Sequence, residues 1–122
     1  MRERELKAAL VEGTALVDDV LAGRIAMPEF LDRYGEFYYY NALDGHEAVA
    51  EQDRELLKQY ARAIGLHEET QTKVVDMVYR GAPEQQAEYL AAGRIDPDEG
   101  RRKLADIAAS HGLAQIVDEL RR

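Results

Sequence analysis

Apolar residues in this 122-residue chain recur three and four positions apart almost from end to end, and no stretch alternates apolar with polar as a half-buried strand does. That period restricts the chain to packed helices, each burying one stripe. Gly and Pro punctuate the pattern at short intervals, leaving connections of two to five residues. Such connections make successive helices neighbours. The expected fold is therefore all-α, a bundle of six to seven short antiparallel helices in one domain spanning residues 1–122.

The punctuation predicts the boundaries. A first helix from Arg2 to Ala22 places Leu6, Leu10, Val17 and Val20 on one stripe. Gly13 lies on that stripe, where it permits close packing, and Gly23 supplies a left-handed stop. Pro28 opens a second helix that carries Phe30, Leu31, Tyr34, Phe37 and Tyr38 inward. Asp44-Gly-His-Glu47 reads as a capping box for a third, which uses Val49, Leu56, Leu57, Tyr60 and Ile64 and stops at Gly65. A fourth centres on Val74, Met77 and Val78 and stops at Gly81. Pro83 begins a short fifth that runs to Gly93. Asp96-Pro97-Asp98-Glu99 is a cap, a first-turn proline and a closing acid for a sixth, and Gly112 divides that helix from a last one with Leu113, Ile116, Val117 and Leu120. Leu21-Ala-Gly-Arg-Ile25 reappears as Ala91-Ala-Gly-Arg-Ile95. The flanking helices do not match, which favours one turn used twice over a duplicated hairpin.

Charge limits the class of partner. The chain carries 24 acids against 16 bases, a net −8. Residues 1–61 hold 13 acids and 7 bases, residues 62–122 hold 11 and 9, so most of the excess lies in the first half. A phosphate backbone requires a basic patch, so no nucleic-acid partner is expected; a basic protein is. Cysteine is absent, which removes disulfides and thiolate chemistry and fits a reducing compartment. No apolar run approaches the 18 or so residues of a membrane helix, and charges interrupt the N-terminal residues too early for a signal peptide. A cytoplasmic protein without a membrane partner is the expectation.

On a helical wheel Glu29, Asp32 and Glu36 fall opposite the apolar side of the second helix, with Tyr39 and Tyr40 flanking them. Asp44, Glu47, Glu51 and Glu55 form one stripe on the third. Joined by a tight turn, the two faces present seven carboxylates. A solvated face explains Asp44 and Glu47, which favour the helix dipole. It explains less well the like-charged pairs Glu47/Glu51 and Glu51/Glu55, four residues apart and only partly offset by Glu51/Arg54 and Glu55/Lys58. Exposed tyrosines are frequent interface anchors. Glu29, Asp32, Glu36, Tyr39, Tyr40, Glu47, Glu51 and Glu55 are thus the candidate partner-binding residues.

A second candidate lies on the inward side of the third helix, where His46, Asp53 and Tyr60 line up. His46 and Asp53 are about 10 Å apart along the axis, so each would meet a tyrosine or Asn41 rather than the other. A satisfied polar pair near a helix end is the plainer reading. His67 and His111 are expected alone at the edge of the core. No metal-ligand spacing, phosphate loop, nucleophile elbow or dinucleotide fingerprint occurs, so neither a metal nor a cofactor is expected and no reaction is defined.

The segment Val17–Tyr40, with its apolar helix, Leu21-Ala-Gly-Arg-Ile25, Pro28-Glu-Phe30 and Tyr34, resembles the opening of small bacterial immunity proteins of the colicin D immunity type. The likeness covers about a fifth of the chain, and the stretch from Pro83 departs from it. It implies a helical bundle that binds and blocks a cationic toxin through acidic residues. Three readings follow. The first is a non-enzymatic module that docks a basic protein. The second is a small helical pocket, for a ligand or a reaction, built on His46, Asp53 and nearby tyrosines. The third is a structural or regulatory homo-oligomer, whose sign would be an exposed apolar strip on the last helix.

Overall fold

The computed structural model describes the backbone of residues 3–41 and 51–122 and the side chains of residues 3–37 and 54–122. Among them are seven α-helices: α1 (Glu3–Leu21), α2 (Met27–Asn41), α3 (Glu51–Gln59), α4 (Ala61–Thr70), α5 (Gln86–Ala91), α6 (Pro97–His111) and α7 (Leu113–Arg121). The chain is all-α, as its period requires. Tyr38, Tyr39 and Tyr40 as side chains, Asn41 as a side chain, and the Asp44–Glu47 capping box lie outside the described residues, as does Val49.

Helix α1 buries Leu6, Ala9, Leu10, Gly13, Leu16, Val17 and Val20 at helical spacing. It packs against α2, which contributes Phe30, Leu31, Tyr34 and Phe37. At Gly13 the two helices approach so closely that an added Cβ would lie 2.5 Å from Phe37 Cε2 and 2.9 Å from His67 Cε1. The stop after α1 has two bonds, from Gly23 N–H to the Val20 carbonyl (3.2 Å) and from Arg24 N–H to the Asp19 carbonyl (2.8 Å). After α5, Gly93 N–H and Arg94 N–H bond Leu90 and Tyr89 in the same pattern, at 3.1 and 3.0 Å. Both glycines are left-handed, at φ +80° and +105°. The echoed sequence is one Schellman turn used twice.

The middle of the chain departs from expectation. Gly65 does not stop a helix: the break falls at Tyr60, and α4 runs through Gly65 into a π-turn over Gln71–Val75. Asp76 N–H bonds the Gln71 carbonyl at 2.9 Å, five residues back. Thr70 and Thr72 hydroxyls donate to the carbonyls of Leu66 (2.7 Å) and Glu68 (3.0 Å), the local competition that loosens a helix. Val74 and Val78 are buried as expected, but no single helix holds both. Val78 instead forms a parallel bridge with Ile95, where Tyr79 N–H reaches Ile95 O (2.8 Å) and Ile95 N–H reaches Met77 O (3.1 Å). The bridge closes a loop that contains a 3₁₀ turn (Pro83–Gln85) and α5.

Leu56, Leu57 and Tyr60, expected in the core, are only partly buried. Helix α3 packs on α4 at the edge of the bundle, so its two leucines are covered from that side alone. Helix α4 takes the interior position with Ala63, Ile64, Leu66, His67 and Thr70. The Asp96 cap is present, its carboxylate accepting from Glu99 N–H at 2.8 Å. On α7, Ile116 and Leu120 are buried, and among the described residues Val11 and Tyr89 are the large apolar side chains left exposed, neither of them on α7.

Candidate functional site

The outer side of α2 follows from its inner one. With Phe30, Leu31, Tyr34 and Phe37 packed, Glu29, Asp32, Arg33 and Glu36 must face solvent, and all four are exposed. Glu29 and Glu36 make no ion pair among the described residues. Asp32 is paired with the Arg80 guanidinium, a partner from the bridged loop that helix-wheel reasoning gave no means of finding. On α3, Glu55 sits 3.6 Å from Lys58 in a largely exposed pair of little net energy. Glu51 and Asp53 belong to α3 by backbone, their side chains lying outside the described residues, and His46 and Glu47 lie outside altogether. The described parts of α2 and α3 do not pack as a close pair; α3 rests on α4. Tyr60 turns to α1, donating its hydroxyl to Glu3 Oε1 at 2.8 Å. That bond holds the Tyr60 hydroxyl above its usual pKa.

The interior holds a polar cluster that sequence reasoning missed. His67 is not at the core edge but wholly buried. Its Nδ1 is hydrogen-bonded to the Tyr34 hydroxyl from α2, and its Nε2 lies 3.2 Å from Thr14 Oγ1 of α1. The Phe37 ring meets it edge-on with centroids 5.5 Å apart, and Tyr34 lies at 5.7 Å. Burial pushes the His67 pKa down to about 4, with the Leu10 backbone offsetting part of the effect. The ring is therefore neutral at pH 7, both nitrogens are engaged, and its surroundings are filled by side chains. Its role is to tie α1, α2 and α4 together, since a buried polar group left unpaired costs about 1–3 kcal/mol. The available signal was that Thr14, Tyr34 and His67 each occupy a core-stripe position with a polar atom.

His111 is not alone either. It pairs with Glu69, which also accepts from Lys73 at 2.6 Å. Lys73 first and His111 second hold the Glu69 carboxyl below its usual pKa.

No family model, curated protein or solved structure matches this chain. Function therefore has to be read from the chain's own chemistry. Among the described residues no three His, Asp or Glu side chains are grouped to hold a metal ion, and no helix is long and apolar enough to cross a membrane. What the described residues do present is an outer side of α2 with exposed Glu29 and Glu36, on a helix anchored by five buried residues, Met27, Phe30, Leu31, Tyr34 and Phe37.

Proposed function

We propose that this chain is a non-enzymatic binding module that docks a basic protein through its acidic surface, in the manner of an immunity protein or antitoxin. The observation that carries the reading is α2, which exposes Glu29 and Glu36 without ion partners among the described residues while its inner side is locked in the core. A rigid helix with unneutralised carboxylates steers a cationic partner during encounter and meets it without reorganisation. The net charge of −8 acts in the same sense. The immunity-type resemblance of Val17–Tyr40 spans this same helix.

The test is association kinetics between this chain and the basic proteins encoded beside its gene, by stopped flow at low and physiological salt. At least one should bind, and its on-rate should fall as salt screens charges over about 8–10 Å. Glu29→Lys with Glu36→Lys should slow association at least about tenfold while lowering the melting temperature by no more than several degrees, the cost of a lysine in the first turn of α2 where it opposes the helix dipole. Failure of every such protein to bind, or association indifferent to salt and to the double reversal, overturns the reading.

A further inference from the structure

The bridged loop meets α2 at a cleft of about 300 Å³, with Pro28, Leu31, Tyr79, Arg80, Pro83 and Gln86 among its walls. The wall is built before any ligand arrives. The Val78–Ile95 bridge pins the base of the loop, the Tyr79 hydroxyl donates to the Ala82 carbonyl at 2.6 Å, and the Tyr79 ring stacks on Tyr89 with centroids 4.8 Å apart. Prolines 28 and 83 stiffen both sides.

One arginine already lines this place and reaches past it. Arg80, which lines the cleft, lies against Asp32, and both side chains are substantially exposed, at 45% and 68%. An exposed pair of this kind is worth little and is readily exchanged. Glu29 and Glu84, the chain neighbours of Pro28 and Pro83, are exposed. The cleft therefore combines apolar walls and an aromatic ring with a lining arginine that reaches a carboxylate just beyond the walls, Asp32, the neighbour of the lining Leu31. A planar cation that stacks on aromatic and apolar surface while bonding a carboxylate in bidentate fashion is a guanidinium, not an ammonium.

We propose that this cleft receives an arginine side chain of the basic protein partner, which displaces Arg80 from Asp32. The inference rests on the docking reading above and names the contact at its centre. Arg80 acts as an internal competitor, holding the carboxylate in place and leaving when a better-placed guanidinium enters.

The probe is Nα-acetyl-argininamide, titrated into the whole chain and followed by amide shifts in ¹⁵N-correlated NMR, with the neutral isostere Nα-acetyl-citrullinamide as control. The arginine probe should shift Tyr79, Gly81 and Gln86 and the citrulline probe should not. Arg80→Ala should tighten binding about two- to fivefold, the range expected when a weak exposed pair no longer competes. Arg33→Ala, with the same charge change at a position outside the cleft, should tighten it less. Asp32→Asn, and Gln86→Trp at a helix surface, should each weaken binding more than about fivefold. Equal response to both probes, or equal effects of Arg80→Ala and Arg33→Ala, overturns the cleft. The two readings fail separately. A basic partner that binds wild type, Asp32→Asn and Gln86→Trp alike leaves the acidic surface standing and removes the cleft. A cleft that takes the arginine probe with every variant behaving as stated, in a chain that binds no basic protein, removes the partner instead.

Discussion

Acidification tests the buried histidine directly. The unfolded chain takes up a proton on His67 near pH 6.5, whereas the folded chain does so only near pH 4. Between those values the unfolded state binds more protons, so stability falls as pH falls. The contribution is fully present above pH 6.5 and is lost progressively down to about 4. At about 1.4 kcal/mol per pH unit, the loss attributable to this one ring is roughly 3 kcal/mol, a large share of a small domain's stability. Glu69, held low by Lys73 and His111, also loses stability on acidification. A comparison with His67→Gln removes that shared term, because the glutamine retains a donor and an acceptor but does not titrate. Urea denaturation followed by circular dichroism at a series of pH values from 7.5 to 4.5 should show wild type losing about 2.5 kcal/mol more than the variant, most of the full effect, since the window stops short of the folded pKa. Parallel curves for the two proteins would refute the placement of His67. The wild type alone provides a second reading, for its His67 ring proton should show no titration step between pH 7.5 and 5.

Two further outcomes follow from packing. Gly13→Ala should destabilise by about 1–3 kcal/mol through overpacking against Phe37 and His67, outweighing the roughly 1 kcal/mol that alanine contributes in a helix; a more stable variant on thermal denaturation would show that α1 and α2 are not so closely apposed. Leu104→Ala should cost about 2–5 kcal/mol, whereas Leu57→Ala, at a partly buried position, should cost less than about 2 kcal/mol. Equal losses on chemical denaturation would place α3 in the core after all.

What the sequence determined by itself was local. Helical period, the Gly23 and Gly93 stops, the Pro28 first turn and the Asp96 cap depend on residues within a few positions of one another, and each is found where the pattern puts it. The inner face of α2 was legible for the same reason, and with it the exposure of Glu29, Asp32 and Glu36. What only tertiary structure decided depends on partners distant in the chain. Gly65 reads as a stop in isolation, yet it is helical here, beside the His111 ring of α6, which an added Cβ would approach to 3.3 Å. Leu56 and Leu57 have core-type side chains, but α4 buries the better stripe and leaves them at the edge. Arg80 reaches Asp32 and His67 reaches Thr14 and Tyr34 across 48, 53 and 33 residues of sequence. Side-chain periodicity carries no record of such separations. They arise because burying apolar stripes forces polar atoms inside to find one another, and which atoms meet is set by how the helices pack.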